Sequence, residues 1–167
     1  HQLLAAVQVL FHRHGGDERR RLDLSALRGN PILGGASVSL LPGGTLVSLP
    51  LDAGRELRLG RVDKGWTVHA SENGKASVLP EVGARQGNGR MSFTVDGPGQ
   101  VVTFPDPLTG GTLLVGTQRG AGAGLPVGRR TPEFELVQTS LGIAVLPRSD
   151  AVTLRPQPGG FVLASGV

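Results

Sequence analysis

Two patterns of apolar and polar residues divide the chain. In residues 2–14 the apolar positions follow the spacing i, i+4, i+7 and i+8 and are Leu3, Val7, Leu10 and Phe11. That spacing puts these side chains on one face of an α-helix, and the glycine pair at 15–16 is typical of a helix end. The pattern therefore predicts an N-terminal helix whose apolar face packs against the rest of the chain or against a partner.

Beyond residue 36 the apolar residues come in short bursts, such as Val38–Leu41 and Ile143–Leu146, and Gly, Pro, Asp and Asn separate them. Short bursts with no long helical pattern between them are typical of an antiparallel all-β fold. The sequence therefore predicts a helical segment with a linker over residues 1–35 and a β domain over residues 36–167.

An internal repeat runs through the β region. Residues 38–71 and 134–165 carry apolar bursts, glycine turns and a proline in the same order, and residues 91–118 form a partial copy. Three landmark pairs stand 95 to 97 residues apart, namely Val38 with Phe134, Pro50 with Pro147 and Trp66 with Phe161. A regular offset of this kind indicates a repeated structural unit.

Each unit reads as strand, glycine turn, strand, proline corner, strand, glycine turn and strand. Such a unit buries only one face, so the units must stack around a shared apolar centre. The predicted fold class is all-β: an antiparallel sandwich or barrel of three pseudo-repeats, with a trefoil-like arrangement among the alternatives, preceded by the N-terminal α-helix.

Composition and charge narrow the function classes. The chain has 167 residues, enough to bury a core, and no cysteine, which excludes disulfides, thiolate metal sites and a cysteine nucleophile. Its 17 basic and 13 acidic residues are spread out, and its aromatic residues lie inside apolar runs, which argues against nucleic-acid binding. The apolar run Leu3–Phe11 is too short to span a bilayer, so no transmembrane segment is predicted.

Candidate catalytic residues are few. A mature N-terminus at His1 could hold copper with a second histidine, resembling the histidine brace of lytic polysaccharide monooxygenases, but no aromatic-rich face accompanies it. Ser71 lies near His69 without an assignable acid, and Glu133 and Glu135 flank Phe134 as a strand would place them. We therefore predict no catalytic residue, no metal and no cofactor, and rank a copper-dependent or hydrolytic enzyme last.

A glycine-rich stretch lies between Arg119 and the pair Arg129-Arg130. It lacks the Lys-Ser/Thr and the following helix of a phosphate-binding loop. The sequence predicts a flexible basic loop, which could contact an anionic partner.

The stretch Thr-Leu-Val-Ser-Leu-Pro-Leu-Asp at 45–52, followed by Leu-Arg-Leu at 57–59 and Gly-Trp-Thr-Val-His at 65–69, resembles the AMIN-type β modules of bacterial envelope proteins. Residues 112–118 are similar to the FecR type of periplasmic β domain. The resemblance implies a small β-sandwich in the periplasm or cell envelope that localises partners at peptidoglycan or in secretion assemblies.

The predicted function is a non-catalytic binding or scaffolding module that acts by protein–protein contact in a bacterial envelope assembly. The alternative is a lectin-like module for carbohydrate or peptidoglycan, which would use Trp66 and Phe161 as exposed platforms. The predicted partner-binding residues are Leu3, Val7, Leu10 and Phe11 on the helix and Arg119, Arg129 and Arg130 in the loop.

Overall fold

A computed structural model describes residues 5–12, 25, 28–31, 33–42, 44–51, 55–62, 65–72, 82–106, 109–119 and 123–166. These residues form fourteen β-strands and no α-helix, which confirms the all-β prediction. The strands are β1 Ala5–His12, β2 Ser37–Leu41, β3 Gly44–Leu51, β4 Arg55–Val62, β5 Gly65–Glu72, β6 Gly83–Gly87, β7 Arg90–Thr94, β8 Pro98–Pro105, β9 Thr112–Gln118, β10 Arg129–Arg130, β11 Phe134–Val137, β12 Ile143–Pro147, β13 Val152–Gln157 and β14 Gly160–Ser165.

The chain divides into two compact units, one from His1–Arg58 with Val68–Ala76 and one from Leu59–Thr67 with Ser77–Val167. In the first unit β3 is the central strand of an antiparallel sheet, with β1 on one side and β2 on the other. Strands β4 and β5 form a separate two-stranded hairpin. Because β1 pairs with β3, the segment predicted as helix and linker shares a sheet with the predicted β domain, and the boundary at residue 35 stays a prediction.

The N-terminal helix prediction is wrong for residues 5–12. These residues form β1, which pairs with β3 along eight positions, from Ala5 opposite Leu51 to His12 opposite Gly44. A short apolar run fits either a buried strand or a helix by periodicity alone. The backbone ladder supplied by β3 decides between the two, because pairing with a distant segment overrides local preference. Leu3 and the rest of the predicted helix lie outside the described residues.

The second unit is an antiparallel sandwich of two open sheets. One sheet has the strand order β10-β11-β12-β9-β8 and the other has the order β13-β14-β7-β6. The apolar core lies between them and takes residues from both sheets. Its buried members are Val82, Met91, Phe93, Val95, Leu125, Phe134, Leu136, Ile143, Val145, Val152, Leu154, Phe161 and Leu163.

Alternation along the strands gives the four-stranded sheet an inner and an outer face. Met91 and Phe93 of β7 point to the core, whereas Ser92 between them is half-buried and Arg90 is exposed. In β14, Phe161 and Leu163 are likewise buried on the core side. The outer face is therefore set by the residues between these apolar positions.

The predicted repeat units map onto the sandwich in an unexpected way. Residues 134–165 form the hairpin β11–β12 in one sheet and the hairpin β13–β14 in the other. Residues 91–118 place β7 in the four-stranded sheet and the hairpin β8–β9 in the five-stranded sheet. These two segments thus build one sandwich together, and the equivalence of three units around a common centre stays a prediction.

Candidate functional site

The hairpin β6–β7 is closed by a two-residue turn that only certain residues tolerate. Asn88 and Gly89 have φ angles of 51° and 67°, and Gly87 pairs with Arg90 on either side of them. Positive φ at both turn positions is the type I′ geometry, for which Asn-Gly is the preferred pair. The turn therefore fixes the register of β6 on β7.

We expect Gly89→Ala to destabilise the second unit by about 1–2 kcal/mol, because an L-residue pays a steric cost in the left-handed region. The matched control is Gly87→Ala, two residues away, where a Cβ would have open space and the backbone is ordinary. That variant should change stability by less than about 0.5 kcal/mol. Chemical denaturation of both variants checks the difference, and equal values would contradict the turn geometry.

Strand β6 forms an open edge of the four-stranded sheet. Within the part of the chain that the structure describes, β6 pairs with β7 on one side only, and all five of its residues are exposed. The N–H of Val82, just before the strand, donates to the carbonyl of Gly124, so the free stretch begins at Gly83. In a hairpin with a two-residue turn the pair next to the turn is hydrogen-bonded, and the bonding direction then alternates along the strand. The backbone N–H and C=O groups of Ala84 and Gln86 therefore point away from β7, towards the open side.

Arginines dominate the outer face next to this edge. One row of paired residues crosses the outer face from β6 through β7 and β14 to β13. In that order the row consists of Arg85, Ser92, Val162 and Arg155. Arg90 lies one row along, directly opposite Gly87. All three arginines are exposed, and their guanidinium groups carry a permanent positive charge.

No acidic residue offsets these charges within the sheet. The strands β6, β7, β13 and β14 are described throughout, and none of them contains Asp or Glu. A shallow open concavity of about 540 Å³ lies at the hairpin, and its lining residues are Arg85, Gln86, Gly87, Asn88, Arg90 and Ser92. We name this hairpin surface, with its open edge and its two arginines, the β6 edge site.

Of the predicted arginines, Arg129 and Arg130 lie together as β10, at the edge of the five-stranded sheet. The Nε of Arg130 is 3.1 Å from Oε1 of Glu135, and Nη2 of Arg148 is 3.6 Å from Oε2 of the same carboxylate. Arg119 follows β9, three strands away in that sheet order. The structure thus does not bring the three together, and Glu135 balances part of the charge on β10.

The end of the glycine-rich stretch is anchored to the sandwich. Leu125 is buried in the core, its N–H donates to Oγ1 of Thr139 at 2.9 Å, and its carbonyl accepts from the N–H of Thr139 at 2.9 Å. The N–H of Val82 donates to the carbonyl of Gly124 at 2.9 Å. Residues 123–125 are therefore a fixed element, and the predicted flexible loop does not extend over them.

The predicted apolar partner-binding residues are not part of the β6 edge site. Val7, Leu10 and Phe11 belong to β1 in the first unit, and Leu3 lies outside the described residues. Phe161 is completely buried, so it offers no platform for a sugar ring. The side chain of Trp66 is outside what the structure describes, so the lectin-like alternative loses one of its two predicted platforms and keeps the other as a prediction.

The residues considered for catalysis do not form a cluster in the described parts of the chain. His69 of β5 is exposed, and Glu135 is engaged by two arginines. Across the described ranges, no group of three or more His, Asp or Glu side chains is placed to hold a metal ion. In the same ranges, no helix has the length and apolar character needed to cross a membrane.

Sequence reasoning missed Arg85 because β6 contains no apolar burst. It missed Arg90 because this residue starts β7 and lies opposite the unpredicted β6. The signal that could have found them is the Asn88-Gly89 pair, which is a strong hairpin indicator when strands flank it. Comparisons with models of protein families, with curated proteins and with solved structures find no match to this chain. The resemblance to AMIN-type and FecR-type modules therefore stays a prediction.

Proposed function

We propose that this protein is a non-catalytic binding module that holds a protein partner by strand addition at the β6 edge site. The observation that supports it is the open edge of β6: its five residues are all exposed, and among the described strands only β7 pairs with it. An extended segment that pairs with such an edge gains main-chain hydrogen bonds from Ala84 and Gln86. Side chains around the edge then select among partners.

The composition of β6 suits a selective edge. Long apolar edge strands invite indiscriminate pairing, and proteins limit this with short strands and charged residues. Strand β6 is five residues long, reads Gly-Ala-Arg-Gln-Gly and carries Arg85 at its centre. A partner must therefore tolerate or complement a positive charge in order to pair.

The edge can be blocked without removing a ladder bond to β7. Gln86→Pro deletes an N–H that points to the open side, which is the position where an edge strand accepts proline. Gln86→Thr keeps that N–H and serves as the matched control. We expect a partner captured from a lysate of the source organism by the unmodified protein to be recovered about tenfold less with Gln86→Pro, a loss that one main-chain hydrogen bond and the bulk of the proline ring on the open side explain.

Recovery with Gln86→Thr should match the unmodified protein, and thermal unfolding should show that both variants stay folded. Quantitative mass spectrometry of the captured proteins gives the comparison. Equal recovery of every protein by the two variants would show that strand addition at β6 is not how the module binds.

The envelope location and a scaffolding role belong to this proposal and rest on the resemblance to AMIN-type and FecR-type modules. Partner contacts through Leu3, Val7, Leu10, Phe11, Arg119, Arg129 and Arg130 stay predictions beside it. Strand β1 is itself an edge strand of its sheet, so contacts there would also use an extended backbone.

A further inference from the structure

We infer that the segment received at the β6 edge site is an extended acidic peptide with carboxylates at alternate positions, one facing Arg85 and the next facing Arg90. This inference rests on the proposed strand addition and names the chemistry of the partner. It follows from the register of β6 on β7, from the open space at Gly87 and from the absence of acidic residues on the sheet.

The first carboxylate position is set by the alternation of β6. Arg85 points to the outer face because it pairs with Ser92, whereas Ala84 and Gln86 pair with the core-facing residues Phe93 and Met91. A strand added to β6 places one residue directly opposite Arg85, with Cβ atoms about 4.5–5.5 Å apart. A Glu or Asp at that position reaches the guanidinium, which binds carboxylates with two parallel hydrogen bonds.

The second carboxylate position is set by Gly87. The added residue two positions along lies opposite Gly87, and Arg90 lies on the far side of that glycine. A Cβ at Gly87 would find no atom within 4 Å, so no side chain stands between the added residue and Arg90. The separation is two strand spacings, about 9–10 Å, which a Glu and an Arg side chain span together.

Charge supports the same partner. Arg155 adds a third positive charge on the face, and the four strands contribute no negative one. A lysine or arginine opposite Arg85 would be repelled, because like charges directly opposite each other destabilise strand pairing. The face therefore favours a segment with Glu or Asp on one side over a neutral or basic segment of the same shape.

An anionic polysaccharide would also be attracted to these arginines, but it has no strand backbone to pair with Ala84 and Gln86. The edge and the arginines are contiguous at this hairpin, and a peptide uses both features whereas a polysaccharide uses one. Blocking the edge separates the two cases, since it weakens only the ligand that pairs with the backbone.

The test uses a short synthetic peptide in which Glu alternates with Val and Thr, and a second peptide with Gln in place of every Glu. Both are titrated into the full chain at low salt and followed by two-dimensional NMR of the backbone amides. We expect the Glu peptide to bind about tenfold more tightly, to shift the amides of Ala84 and Gln86, and to weaken as salt screens the charges.

Variants of single arginines assign the two positions. Arg85→Gln and Arg90→Gln should each weaken the Glu peptide by about threefold to fivefold, the range of exposed ion pairs. Arg155→Gln removes the same charge from the same face on strand β13, which lies four strand spacings, about 19 Å, from the added strand. In about 0.15 M salt this variant should change binding by less than about 1.5-fold, because the charge is screened over that distance. Gly87→Val should make binding insensitive to Arg90→Gln.

Equal binding of the Glu and Gln peptides, with loss of both in Gln86→Pro, would overturn the acidic partner and leave the proposed strand addition standing. Binding of the Glu peptide that survives Gln86→Pro would overturn strand pairing as well, because the arginines alone would then hold the peptide as they would hold an anionic polysaccharide. Failure of both peptides to bind would overturn this inference, and the capture comparison would judge strand addition separately.

Discussion

Phe161→Ala is expected to lower the free energy of unfolding of the second unit by about 3–5 kcal/mol, the range for removing a fully buried phenylalanine. The side chain of Phe161 is 0% exposed and lies in the centre of the core cluster. Its ring is pressed against the backbone of β9, since a Cβ at Gly116 would lie 3.0 Å from two ring carbons. Truncation would therefore leave a cavity beside the backbone of β9, and this backbone cannot shift far enough to fill it.

Urea denaturation followed by circular dichroism measures the loss, with Val127→Ala as the control. Val127 is 78% exposed, so its truncation should cost less than about 0.5 kcal/mol. A loss below about 1 kcal/mol for Phe161→Ala would mean that the ring is not packed as described. That result would also restore Phe161 as a candidate sugar platform.

Phe161 shows what the apolar pattern can and cannot predict. The pattern placed an apolar strand directly after the glycine turn at 159–160, and β14 begins at Gly160. It could not decide whether the aromatic ring was buried or exposed, because that depends on which sheet covers the strand. The covering residues belong to β9 and to the strands beside it, which no local pattern connects to β14.

The helix prediction for the N-terminal segment is wrong for a related reason. Residues 5–12 fit helical spacing, but β3 lies more than thirty residues along the chain and provides the ladder that makes them a strand. Spacing of apolar residues describes one segment at a time, whereas strand pairing is a property of two segments. The bursts after residue 36 do predict strands, because their own Gly and Pro turns delimit them.

The apolar pattern does not predict the candidate site, because β6 extends beyond the part of the four-stranded sheet that the five-stranded sheet covers. Ala84 and Gln86 pair with Phe93 and Met91 and so share their core-facing side, yet both are exposed. A strand without a covering layer needs no apolar residues, so its sequence is polar throughout. Hydrophobic patterning detects the strands that bury apolar side chains, and every residue of β6 is exposed.

Gly160→Ala is expected to destabilise the second unit by about 3 kcal/mol or more, a loss typical of strain forced on a buried backbone. Gly160 is buried at the start of β14, opposite Thr94 of β7. A Cβ there would collide with the carbonyl oxygen of Phe93 and would lie 3.2 Å from the N–H nitrogen of Val95. Both neighbours are backbone atoms, so a change of side-chain rotamer cannot relieve the collision.

Gly83→Ala is the matched control, because Thr94 pairs with Gly160 on one side and with Gly83 on the other. A Cβ at Gly83 would meet the Cβ of Thr94 at 3.7 Å, an ordinary contact, and Gly83 is exposed. Gly83→Ala should therefore leave the unfolding free energy within about 0.5 kcal/mol of the unmodified protein. If Gly160→Ala is too unstable to give a complete unfolding curve, hydrogen exchange at low temperature should show loss of protection in β7 and β14 together. Equal tolerance of the two alanines would mean that β14 does not approach β7 as closely as the register requires, and the hairpin that carries Arg85 and Arg90 would then lack its support.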